Sequence, residues 1–387
     1  MSFRRFLYLA ADDCAERTHS LRRIDMSRLF FRPSTSSETE QAQPTPLDAS
    51  GGAGADLPAI KDGGLLPAPA IHVRHPLVKQ MRHSIDFVLF EDKVNWRENK
   101  VVAMDNLGRA LMCYPEAEHP AAVVGALPSM ASSKFAPFAV TVGGSLYVMS
   151  EYPERPNASG KCRSFEVLAG DDDHRLFKNC EEWRWHPLAP PPSVYGPRGD
   201  DASSSVESHA VVAGAHIVVS NRAAAPRAYS FDTVARKWST AGHWALPFTG
   251  AAAYVPEHKL WFGISSLDDG DRFCAADLVA SPGSDKMRPP ELHGFWKEYV
   301  EPPPEWSLER SYAVHLGSCR FCVVRFFEVA SAIHVCPVTN EYHRLCPGLQ
   351  AVFTGVEVDN PCGDQLRVLR HKSERYKLDA PVDYRIV

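Results

Sequence analysis

The chain has 387 residues, 44% of them hydrophobic, and 42 basic against 47 acidic residues leave a net charge of −5. That balance provides no basic surface for a phosphate backbone, so nucleic acid is not an expected partner. No stretch approaches the roughly 18 consecutive apolar residues of a membrane helix, which removes a membrane partner from the expectations.

The first residues, "MSFRRFLYLAADDCAER", carry too short an apolar run for a secretory signal. The ten cysteines lie scattered from Cys14 to Cys362, without the density of a small disulfide scaffold. Reduced thiols and a cytoplasmic or nuclear location are therefore expected. Residues 3–31 alternate as strands do, with Phe6, Tyr8, Leu21 and Ile24 as the inward positions. Residues 32–70 are rich in Pro, Gly and Ser and lack an apolar period. They read as a flexible insertion within one domain spanning 1–387.

From residue 71 onward, short β-branched and aromatic runs alternate with Gly, Pro, Asp and Asn, and the helical apolar period is absent. The fold class is all-β. Hairpins recur in "FAVTVGGSLYVMS", "HAVVAGAHIVVS", "AAYVPEHKLWFGIS" and "AVHLGSCRFCVVRF", and aligning them makes Tyr147, Ile217, Leu260 and Phe321 equivalent. A third and fourth strand follow each hairpin, as in "YSFDTVARKWSTAGHWALP". Trp183, Trp238 and Trp296 stand at or near the start of three of those fourth strands, where packing between repeats is the expected use.

Four-stranded units repeating at roughly 40–50 residues indicate β-propeller blades, because one blade cannot bury its two apolar faces alone. Candidate units cover 71–128, 135–192, 206–247, 251–304 and 312–358. A further composite blade would pair the strands of 1–31 with "DQLRVLRHKSERYKL", closing the ring and removing its exposed edges. The expectation is six blades, with seven as the alternative.

"YSFDTVARKW" and the Gly143-Gly144 turn of "FAVTVGGSLYVM" resemble kelch repeats, although the other hairpins lack the double glycine. The layout of "RRFLYL", "SLRRID", "LPFTGAAAYVPEHKLWFG", "VHLGSCRFC" and "HKSERY" is similar to a cereal-plant family bearing a domain of unknown function. That resemblance implies a plant origin and a kelch-like propeller, and no activity.

Motifs for chemistry are sparse. Cys319, Cys322, His334, Cys336, His343 and Cys346 form the best candidate for a zinc site, with soft ligands in sufficient number. Cys319 and Cys322 read as members of one alternating strand, however, and cysteine is commonly a buried apolar residue. No metal and no cofactor is assigned. Asp171-Asp172-Asp173 and the run Asp268-Asp269-Gly270-Asp271 fit no calcium-loop spacing and read as solvated turns. The basic stretch 370–377 reads as the solvated face of a strand, and the prolines 190–192 and 302–304 as stiff connectors. Neither a nucleophile elbow nor a phosphate loop occurs in the sequence, so no catalytic residue is named.

Two functions fit. The first is a monomeric, non-catalytic scaffold presenting propeller loops to an unidentified protein partner. The second is an enzyme or binder of a sugar-like small molecule in the central channel. The mouth of the channel discriminates them: convergent His, Asp, Glu or Arg side chains favour the second, and small apolar residues favour the first.

Overall fold

The computed structural model describes residues 3–13, 16, 18–31, 44–47, 60–74, 85–92, 99–116, 123–158, 160, 163–170, 183–195, 205–222, 225–266, 268–279, 287–298, 302–329, 333–335, 342–344, 348–360, 366–379 and 382–387. In chain order the strands begin with β1 (Phe6–Asp13) and β2 (Thr18–Asp25). The short β3 (Thr45–Leu47) and β4 (Lys61–Asp62) and then β5 (Pro69–Arg74) follow. Next come β6 (Ile85–Phe90), β7 (Lys100–Asp105), β8 (Ala110–Tyr114) and β9 (Val123–Leu127). The third group is β10 (Pro137–Val142), β11 (Ser145–Ser150), β12 (Phe165–Gly170) and β13 (Trp183–Pro187). The fourth is β14 (Ser208–Val212), β15 (His216–Asn221), β16 (Arg227–Asp232) and β17 (Lys237–Gly242). The fifth is β18 (Phe248–Val255), β19 (Leu260–Ser265), β20 (Phe273–Asp277) and β21 (Glu291–Trp296). The longest strands are β22 (Trp306–Gly317), β23 (Arg320–Val329), β26 (Gly348–Asp359) and β27 (Arg367–Leu378). A small hairpin, β24 (Ile333–Val335) and β25 (Tyr342–Arg344), interrupts them, and β28 (Val382–Ile386) ends the series.

The protein is all-β, built of antiparallel four-stranded sheets with a propeller-like strand order. Sheet 1 runs β28-β1-β2-β5, sheet 2 β6-β7-β8-β9 and sheet 3 β10-β11-β12-β13. Sheet 4, β14-β15-β16-β17, and sheet 5, β18-β19-β20-β21, are the two halves of one eight-stranded sheet joined through β14 and β18. Sheet 6 runs β22-β23-β26-β27, with β3 and β4 added on the edge of β27. Sheet 1 is assembled from both ends of the sequence, with Leu9 opposite Ile386 and Asp12 opposite Asp383.

Strand alternation distributes each sheet's apolar residues between two neighbours. Leu7 and Leu9 enter a core shared with sheet 6, while Tyr8 between them enters a core shared with sheet 2. Likewise Val102 faces sheet 3 and Val101 faces sheet 1. Val219 faces sheet 3 while Val218 faces sheet 5, and Phe321 faces sheet 5 while Cys322 faces sheet 1. Six cores thus lie between six consecutive sheet pairs, returning from sheet 6 to sheet 1.

Local chemistry sets the turns. Gly143 and Gly144 both have positive φ (56° and 75°), which a two-residue hairpin between Val142 and Ser145 requires. In "YSFDTVARKW", the Asp232 carboxylate accepts the backbone N–H groups of Val234 and Ala235 at 2.8 and 2.9 Å and closes the β16–β17 turn. Trp238, on β17, then packs with Phe165 of sheet 3 and Phe231 of sheet 4, and its Nε1 donates to the Ala189 carbonyl at 2.8 Å.

Several expectations are corrected. The strand β27, "RVLRHKSERYKL", belongs to sheet 6, and the C-terminal strand that pairs with β1 is β28. Residues 69–74 belong to sheet 1, so the unit expected at 71–128 starts its own sheet at Ile85. Within 32–70, Thr45–Leu47 and Lys61–Asp62 pair with β27 and Pro69–Arg74 pairs with β2. The basic stretch is solvated only in part: Lys372 and Lys377 are exposed, but Arg370 and His371 are 1% and 3% exposed, with His371 against the rings of Phe30 and Phe31.

Candidate functional site

The strands β28, β6, β10, β14, β18 and β22 stand first in their sheets, and all six line one central cavity of about 2130 Å³. Much of its wall is small, including Ala139, Ala210, Ala252 and Ala313. On one side two inner strands touch directly. Between Thr249 and Ala253, β18 departs from β19 and pairs in parallel with β14, placing His209 opposite Ala251. Gly250 sits at this departure with a positive φ of 70°, a backbone conformation that glycine adopts without steric cost.

Charge gathers at the end of the cavity where the inner strands begin. Arg385 Nη1 donates to Asp86 at 3.0 Å, and its Nη2 and Nε donate to Asp383 at 3.1 and 3.2 Å. Arg310 donates to the other Asp383 oxygen at 2.9 Å and thereby joins sheet 6 to sheet 1. Asp12, opposite Asp383, lies 3.2 Å from His19 on the next strand. Glu151 and Glu207 complete the acidic side of the mouth.

Burial shifts several of these groups. It pushes the Asp86 carboxyl up to about 6, against the pull of Arg385. It also raises Asp12, opposed by His19, and raises Glu151, opposed by Arg385. Tyr312 on β22 is held above the usual phenol range, again chiefly by burial. The His209 imidazole is driven down to about 4 by burial and is neutral at pH 7.

Loops at this mouth are anchored from below. Lys134 and Glu166 form a buried ion pair, Ala131 N–H donates to Glu166 at 3.0 Å, and Lys134 also donates to the Ser132 carbonyl at 2.8 Å. The anchored loop presents Phe135, 71% exposed, whose ring lies 5.9 Å from that of Tyr152. Beneath the opposite wall, Arg325 donates to Glu298 at 2.5 Å, to Ser311 at 2.8 Å and to Asp271. Asp271 is therefore 8% exposed and paired, where the sequence suggested a solvated turn.

At the opposite end of the cavity, Arg4 lies 3.8 Å from Glu91 and donates to the Val387 carbonyl at 3.3 Å. That end carries fewer charges and no comparable set of bridging pairs among the described residues.

The Cys/His candidates do not converge among the described residues. Cys319 lies in the two-residue turn from β22 to β23, where Ser318 and Cys319, like the preceding Gly317, have positive φ, and not in the strand expected for it. It packs against the core between sheets 5 and 6, whereas Cys322 enters the core between sheets 6 and 1. Burial pushes the Cys319 thiol up to about 11 and raises Cys322 as well, which opposes thiolate ligation. His334 and His343 are register partners on β24 and β25, and Cys336 and Cys346 lie outside the described residues. No group of three or more metal-capable side chains occurs among the described residues. Asp171, Asp172 and Asp173 lie outside them.

The tryptophans Trp183, Trp185, Trp238 and Trp244 pack against cores between sheets and do not line the channel. The prolines at 190–192 and 302–304 fall in the connections from β13 to β14 and from β21 to β22. No sequence motif marked Asp86, Arg310, Asp383 or Arg385, which come from three sheets. The available signal was a polar residue inside an apolar run, as in "SIDFVLF".

A family described as "Protein of unknown function (DUF1668)" matches residues 4–376. No curated protein sequence matches the chain significantly. Among solved structures, the chain is similar to a periplasmic gluconolactonase, PpgL, of Pseudomonas aeruginosa, at 11% identity and a TM-score of 0.42, covering 99% of both chains. It is also similar to a protein from Lactobacillus plantarum, at 11% identity and a TM-score of 0.34, covering 76% of this chain and 87% of that one.

Proposed function

The chain belongs to the DUF1668 family, and from its own geometry we propose that it is a six-bladed, kelch-like β-propeller whose central channel binds a small, sugar-like polar ligand. Six sheets linked by six cores, with β28 and β1 in one sheet, support the ring. The observation that carries the ligand reading is the convergence of Arg385, Arg310, Asp86 and Asp383 at one mouth, over a channel wall of small residues. Carboxylates and guanidiniums held in fixed pairs present oriented acceptors and donors to hydroxyl groups, and the small residues leave room for the ligand. Phe135 and Tyr152 at the rim offer apolar ring faces of the kind that stack on a sugar.

The scaffold reading has one observation in its favour, the exposure of Phe135 and Tyr152 on neighbouring loops. Isolated exposed aromatics are common on protein surfaces, so the convergence of charge pairs from three sheets weighs more. A thermal-shift screen against neutral, acidic and amino sugars separates the two. The channel reading expects at least one ligand to raise Tm, and Arg310→Gln with Arg385→Gln to abolish that rise. A screen without any shift, or a shift unchanged in the double variant, overturns it. Partner capture lost in Phe135→Ser with Tyr152→Ser would favour the scaffold.

A further inference from the structure

We infer that His209 is the hydrogen-bonding residue of a subsite inside the channel that takes a hydroxyl group of an uncharged, polyhydroxylated ligand. The inference rests on the channel-binding reading and gives the site its ligand class. His209 is 9% exposed, lines the channel, and its ring nitrogens have no hydrogen-bond partner among the described residues. Its ring is instead stacked on Phe138 from the neighbouring sheet, with centroids 4.3 Å apart and planes 20° apart. The nitrogens are not sealed off from the cavity, so a hydroxyl group in the channel can reach them and supply both a donor and an acceptor. The channel beside it provides the space, because the strand facing His209 carries Gly250, Ala251 and Ala252, and a Cβ at Gly250 would meet nothing within 4 Å.

The chemistry of the ring selects the ligand class. A neutral imidazole donates at one nitrogen and accepts at the other, which complements a hydroxyl group doing the same. A carboxylate could only accept from it, and an ammonium could only donate to it. Burial disfavours the imidazolium that would bind an anion strongly. At the mouth, Asp86 and Asp383 are already engaged by Arg385 and Arg310, which leaves the neutral imidazole of His209 to set the ligand class inside the channel.

The test uses the full chain with D-glucose, D-glucuronate and D-glucosamine as neutral, anionic and cationic probes of one size, measured by calorimetry. Wild type is expected to prefer glucose. His209→Phe, which keeps an aromatic ring against Phe138, is expected to weaken glucose about tenfold, the loss of roughly one hydrogen bond to a buried site. His209→Gln, which keeps a donor and an acceptor, is expected to recover part of the loss. Imidazole nitrogen NMR provides a second readout, with the His209 signals expected to move on adding glucose and to stay in the neutral form down to pH 5. Glucose binding lost in Arg385→Gln but unchanged in His209→Phe overturns the role of His209 and leaves the channel reading standing. Preference for either charged probe, or no binding of any of the three, overturns the ligand class, while the wider sugar screen still decides the channel reading.

Discussion

Asp86 and Arg385 meet at 3.0 Å although 299 positions separate them in sequence. The contact spans the seam between sheet 2 and sheet 1, and Arg385 rides on the strand that pairs with β1. The pairing of β28 with β1 and the charged mouth are therefore one structural fact. If β28 leaves β1, Asp383 and Arg385 leave the mouth with it.

Asp86 makes the mouth sensitive to pH. Its carboxyl is raised to about 6 by burial, so the folded state holds a proton that the unfolded chain has released. Stability from this group is present below the unfolded value near 4 and is lost as pH rises through about 6. The span is worth at most about 3 kcal/mol by linkage. Urea melts of wild type and Asp86→Asn at pH 4.5 and 7.5 should show that the variant lacks this part of the decline. Equal declines in both proteins would count against the shifted carboxyl.

The Arg325 cluster carries a larger penalty when broken. Arg325 and Glu298 are 2% and 1% exposed, and Arg325 also donates to Asp271 and Ser311. Arg325→Met leaves two carboxylates without their cation in a buried site, with an expected loss of about 3–5 kcal/mol. Ser311→Ala removes one hydroxyl and should cost about 1 kcal/mol. Chemical denaturation of both variants checks the order, and a smaller loss in Arg325→Met than in Ser311→Ala would reverse it.

Trp238 joins sheet 4 to sheet 3 through Phe165 and the Ala189 carbonyl. Trp238→Ala should lose about 2–4 kcal/mol, near the lower part of the range for large aromatic truncations, because the side chain is only partly buried. Trp238→Phe should recover much of the packing and none of the hydrogen bond. A stability unchanged in Trp238→Ala would remove it from the inter-sheet contact.

The strands and their grouping into four were legible because alternation and turn residues are local signals. Gly143-Gly144 and the Asp232 turn could be read directly from "VGGS" and "FDTV". Facing was harder. Tyr147 and Ile217, aligned as equivalents, face opposite directions, Tyr147 toward sheet 4 and Ile217 toward sheet 3. A one-residue difference at the turn is enough, because the side-chain period along a strand is two. The last strands were misassigned because "RVLRHKSERYKL" is long and prominent, whereas the closing strand is the short "VDYRI". His371 looked solvent-facing because the rings that cover it, Phe30 and Phe31, lie 340 residues or more away in sequence. The mouth was not legible at all. Asp86, His209, Arg310 and Arg385 lie on four separate strands, and only the packing of their sheets around one cavity brings them together.

Hydrogen exchange followed by mass spectrometry tests the closure on which the mouth depends. The pairing of Leu9–Asp13 with Val382–Ile386 predicts that amides of both segments are protected. It also predicts that they exchange together, in the same cooperative opening as the neighbouring strands β2 and β6. Deleting residues 1–31 should correspondingly abolish the cooperative melt of the whole chain. Rapid exchange of 382–386 in a protein whose other strands stay protected would contradict the closed ring, and with it the mouth formed by Asp383 and Arg385.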